Sequence, residues 1–100
     1  VGLTHQINMK NPIHFLEDFR DQLTQWLEKP TVGAPADTMM RIRSAVDLSI
    51  ELLKQDRKIM ESEKHLFEGG TYLVRFFDGW GDAYLQQYLE MVEYIQKNHY

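Results

Sequence analysis

Adjacent apolar pairs recur every seven residues through the middle of this 100-residue chain: Ala45-Val46, Leu52-Leu53, Ile59-Met60 and Leu66-Phe67. Two apolar neighbours per seven residues keep one stripe on the same side of an α-helix, and a strand has no use for that period. Four successive pairs predict one continuous helix over residues 37–68, packed at a shallow angle against its neighbours. Asp37 is its expected N-cap and Gly69-Gly70 its expected stop. At 1.5 Å per residue such a helix is about 48 Å long. Its weak point is the position between the pairs, which runs Ile42, Ser49, Asp56, Glu63 and so turns polar. A break near Gln55-Asp56 is the alternative.

The flanking segments are helical by the same test. After Asn11-Pro12, a cap residue and a proline suited to a first turn, Phe15, Leu16, Phe19, Leu23, Trp26 and Leu27 recur at intervals of three and four. This predicts a first helix over 12–29, ended by Pro30. Residues 1–10 have no period and are expected to form an irregular arm. The stretch Pro30–Pro35 reads as a tight connection, so the second helix should return antiparallel to the first. A third helix is expected over 71–97, with apolar residues spread over about 200° of its circumference, wider than one neighbour buries. Gly79 and Gly81 flank Trp80 and mark a kink, a break or a close approach. The expected architecture is an all-α, antiparallel three-helix bundle in a single domain.

Composition removes several classes of function. There is no cysteine, which excludes disulfide scaffolds, thiolate metal sites and thiol catalysis. Net charge is −4 with both signs interleaved, so no basic stripe offers itself to nucleic acid. No apolar run approaches the roughly 18 residues of a membrane span and no signal-peptide pattern opens the chain, which together point to a soluble, cytoplasmic protein. His14 with Glu17, and His65 with Glu68, share helix faces, but two ligands do not close a metal site. Neither a metal nor a cofactor is expected. Asp56 and Glu63 lack the nucleophile or oxyanion donor that acid–base chemistry needs, so no enzyme is expected.

The lengths supply the functional clue. A first helix of about 28 Å cannot cover a second of about 48 Å. The uncovered end would carry Ile59, Met60, Leu66 and Phe67 from the second helix, and Phe76, Phe77 and Trp80 from the third. Soluble proteins rarely leave such a patch in water. The expectation is a non-enzymatic interaction or regulatory module that forms a homodimer, or captures a partner helix, through this aromatic end. Trp80 and Phe77 are the expected anchors, with Asp56 and Glu63, paired with Arg57, Lys64 or Arg75, setting register or partner choice. The alternative is a ligand-sensing effector domain whose aromatics line a pocket for a small apolar ligand.

Overall fold

The computed structural model describes residues 12–29, 35–76 and 81–100. Every element among them is helical: α1 (Ile13–Glu28), α2 (Ala36–Gln55), α3 (Glu61–Phe76) and α4 (Asp82–Asn98). The described residues are therefore all-α, with four helices where the sequence predicted three. The expected long helix is interrupted at Asp56, as the alternative reading had it, and its second part does not stop at Gly69-Gly70.

Local chemistry explains the break. Asp56 adopts the left-handed conformation, φ 50° and ψ 46°, which aspartate tolerates better than most residues. The next amide, Arg57 N–H, donates back to the Leu52 carbonyl at 3.3 Å, the long-range bond of a Schellman-type helix end. After a short non-helical link, α3 restarts through a reciprocal cap: the Glu63 carboxylate accepts the Met60 N–H at 3.0 Å, while Met60 C=O accepts the Glu63 N–H at 2.9 Å. Ile59 is buried within the link. The seven-residue pairing continues across the break because each pair reports burial, which a folded-back link supplies as well as a helix does.

The two glycines lie inside α3. Each costs up to about 1 kcal/mol relative to alanine in a helix interior, yet Phe67 and Val74, both buried, anchor the helix on either side of them. Gly70 has a specific reason to be there. A Cβ built on it collides with the Cβ of Ala45, so the α2 and α3 backbones approach at this point more closely than any side chain allows. Residues 71–76, expected to open the third helix, close α3 instead.

Paired side chains give the topology. Thr24 meets Arg43, Arg20 meets Asp47 and Glu17 meets Lys54, so α1 and α2 run antiparallel. The core is one cluster drawn from all four helices, with Leu16, Phe19, Ile42, Leu52, Phe67 and Tyr88 among its fully enclosed members. Ser49, the first polar step in the central stripe, is buried and donates its hydroxyl proton to Ala45 C=O at 2.8 Å. The α-carbons of α1 and α4 stay more than 8 Å apart. Rings fill the gap: Phe19 lies edge-on to both Tyr84 and Tyr88, with centroids 5.2 and 5.5 Å away. Burial pushes the Tyr84 phenol up to about 12, with Asp18 adding to it, and pushes Tyr88 higher still.

Pro12 precedes the first turn of α1 and accepts the Leu16 N–H. Asn11, its expected cap, lies outside the described residues, as do the arm over 1–10 and most of the connection after Pro30. Helix α2 begins one residue before the expected Asp37 cap, so Asp37 falls in the first turn, where a negative charge favours the helix dipole. Gly81 at the start of α4 has φ 89°, a region that suits glycine.

Candidate interface

The residues expected to form one patch fall into three environments. Phe77 and Trp80, the expected anchors, lie outside the described residues. Phe67 is fully buried in the core, facing α2 and the Tyr100 ring. Phe76 is exposed at the C-terminal end of α3, and Met60 is exposed just before its N-terminal end. Sixteen residues of rise separate those two by about 24 Å. Met60 and Phe76 therefore belong to opposite ends of one helix, and the structure does not bring them together.

Asp56 and Glu63 belong to the α2–α3 link. Asp56 is exposed and terminates α2. Glu63 holds Arg57 in a two-pronged ion pair, with both N···O distances at 2.9 Å. Arg57 also donates to Glu51 at 2.6 Å and to Lys58 C=O at 3.0 Å. The guanidinium thus ties the end of α2 to the start of α3. Its hydrogen bond, together with that from Met60 N–H, holds the Glu63 carboxyl below the ordinary glutamate range; the same Glu63 and Glu51 contacts raise Arg57.

The C-terminal residues complete this node. His99 is buried, and its Nδ1–H donates to Arg57 C=O at 2.9 Å. Its own carbonyl accepts the Ile59 N–H at 2.6 Å. Tyr100 donates to Glu68 at 2.6 Å beneath Lys64, whose ammonium sits 5.0 Å from the ring centre. Burial, then the Glu68 carboxylate, push the Tyr100 phenol up to about 12. Arg57, Glu63, His99 and Tyr100 each already have a partner within the chain. Its chemistry is that of a clamp holding the link and the chain end to one another.

The outer face of α3 is different. At about 100° per residue, Gly69, Tyr72 and Phe76 lie on the side of the helix away from Phe67, Gly70 and Val74, with Leu66 at the edge between the two faces. Tyr72 is 66% exposed and Phe76 77%, with Leu66 at 40%. The two rings stack at 6.1 Å with 26° between their planes. Nothing lies within 4 Å of where a Gly69 side chain would begin. Along one flank runs an open groove of about 580 Å³, lined by Glu68, Thr71, Tyr72, Arg75 and Phe76 of α3 with Gln96 of α4.

Leu66 was expected at the uncovered end, where Ile59 proves buried instead, but neither Leu66 nor Tyr72 was singled out as a contact. Their exposure becomes readable once α3 is known to run unbroken from Glu61 to Phe76, since a wheel drawn over that range separates the two faces. Among the described residues, no cluster of three or more metal-ligating side chains forms, and no helix is long and apolar enough to cross a membrane. Comparison with protein-family models, with curated proteins and with solved structures finds no match for this chain.

Proposed function

We propose that this chain is a non-enzymatic interaction module whose working surface is the outer face of α3. One observation carries the reading: two stacked aromatic rings, Tyr72 and Phe76, stand mostly in solvent on a helix whose opposite face is sealed against α2. Interfaces concentrate aromatic residues, methionine and arginine, and their energy comes from a few such anchors. Burying an aromatic side chain contributes about 1.5–3 kcal/mol, so the pair supplies a few kcal/mol against the cost of association. A modest, reversible affinity follows.

The geometry suits an approaching helix. Leu66, Gly69, Tyr72 and Phe76 are spaced by three and four residues, and Gly69 leaves a notch between larger side chains. The groove beside them is open, and charged groups of Glu68 and Arg75 lie on its wall. A small apolar ligand draws its affinity from enclosure, so this surface favours a macromolecular partner over the ligand-sensing alternative.

Site-specific photocrosslinking in living cells tests the reading. A benzoylphenylalanine at position 72 or 76 should give discrete protein adducts, while the same probe at Asp47 or Glu93, exposed elsewhere, should give none. Adducts of equal yield from all four positions, or none from any, would overturn it.

A further inference from the structure

We infer that the occupant of this face is a second copy of the chain, with the two α3 helices packed antiparallel about a two-fold axis. The inference rests on the α3 face being a docking surface, and adds who docks there and in which register.

Charge placement carries it. Glu68 and Arg75 are seven residues apart, so they share one flank of the outer face, two turns from each other. When two identical helices pack antiparallel, each flank of one meets the same flank of the other. A two-fold axis crossing α3 between Gly70 and Thr71 brings each Glu68 within a turn of the second copy's Arg75, forming two ion pairs at once. The same axis sets each Tyr72 opposite the second copy's Gly69, where the side-chain space is empty. A large residue thus meets a notch on both sides. A parallel pair places the Glu68–Arg75 flank against the Leu66–Leu73 flank and forms neither ion pair. Arg75 has no ionic partner among the described residues, and Glu68 uses one carboxylate oxygen on Tyr100, leaving the other free to pair.

Area sets the strength. Aromatic side chains bury about 150–250 Å² each when covered. With two of them mostly exposed per copy, plus Leu66 and the flank charges, the interface totals on the order of 1,000 Å², at the low end for specific association. The dimer is correspondingly weak, with a dissociation constant between about 1 µM and 1 mM.

Sedimentation velocity of the whole chain over a range from about 5 µM to about 1 mM reads this out. The wild type should pass from monomer to dimer without larger species. Phe76→Ser should hold it monomeric with its helical circular dichroism unchanged. Arg75→Glu and Glu68→Arg should each weaken association roughly tenfold or more, because each turns two attractions into two repulsions. A mixture of the two single variants should form a heterodimer, and the double variant Glu68→Arg/Arg75→Glu should recover the homodimer. Arg75→Glu leaves the Tyr100–Glu68 bond in place, so it reads the charge pair without disturbing the chain end.

A strict monomer at every concentration overturns the second copy as occupant. If crosslinks from positions 72 and 76 then hold a different polypeptide, the docking reading stands and this inference alone fails. A dimer indifferent to Phe76→Ser lies on another face and overturns both. Loss of dimer in both single variants without recovery in the double variant overturns the antiparallel register.

Discussion

Replacing Gly70 with alanine adds one methyl group at the tightest contact between α2 and α3. Its Cβ would collide with Ala45 Cβ and come within 3.7 Å of Ala45 Cα and 3.8 Å of Arg41 C=O. Carbon atoms pack at about 3.5–4.0 Å, so the helices must move apart by more than an ångström at this level. Phe67 and Val74, buried on either side along α3, would lose contacts with the core as they did so. Overpacking of this kind costs about 1–3 kcal/mol or more, against a helix-propensity gain of up to about 1 kcal/mol. The expected net loss is about 2 kcal/mol, a drop in Tm of roughly 8–16 °C for a domain this size. The neighbouring glycine is the control. Gly69→Ala meets nothing within 4 Å, so the propensity gain stands alone and should raise stability by about 0.5–1 kcal/mol. Thermal and urea melts repeated down to concentrations well below the proposed dissociation constant read both signs without interference from association. Ala45→Gly combined with Gly70→Ala moves the methyl to the other helix and should recover most of the loss. The reasoning is refuted if Gly70→Ala melts at or above the wild type, or if both alanines destabilise equally.

The remaining expectations concern the clamp and the buried phenols. Glu63 has a depressed pKa in the fold, so its contribution is present above the ordinary glutamate value of 4.5 and is lost as pH falls through the lower folded value. The Tm gap between wild type and Glu63→Gln, measured from neutral pH downwards, should therefore close in acid; a constant gap would refute the linkage. Tyr84 has a raised pKa of about 12, so stability is full below the ordinary tyrosine value of 10.0 and falls as pH rises from there towards 12. Tyr84→Phe should delay alkaline unfolding, followed by circular dichroism alongside phenolate absorbance. His99→Ala leaves the Arg57 carbonyl without its imidazole donor and should cost about 1–3 kcal/mol. Amide exchange should then rise first at Ile59, whose N–H is held by the His99 carbonyl; uniform acceleration across α1 and α2 would contradict a local clamp.

Local period was enough to read that this chain is helical and where α1 runs, because side chains three and four residues apart share a face whatever the rest of the molecule does. The shortness of the connection after Pro30 was enough to read that α1 and α2 pack antiparallel. Excess aromatic surface near the end of α3 was legible in the same way, through Phe76. Phe67 shows the limit: it belongs to the same aromatic run, yet a turn of the helix sends it into the core while Tyr72 and Phe76 face solvent. That division depends on where α3 begins and ends, and tertiary contacts decide this. The seven-residue pairs could not reveal the break at Asp56, because Ile59 is buried in a link as it would be in a helix; the polar residues between the pairs did raise it, as the alternative near Gln55-Asp56. Arg57, gripping Glu51 and Glu63 while its carbonyl receives His99 from the far end of the chain, joins residues up to 48 positions apart. Gly69-Gly70 reads as a stop from local propensity alone. Only the approach of Ala45 turns Gly70 into a packing requirement, and that contact exists once α2 and α3 have folded together.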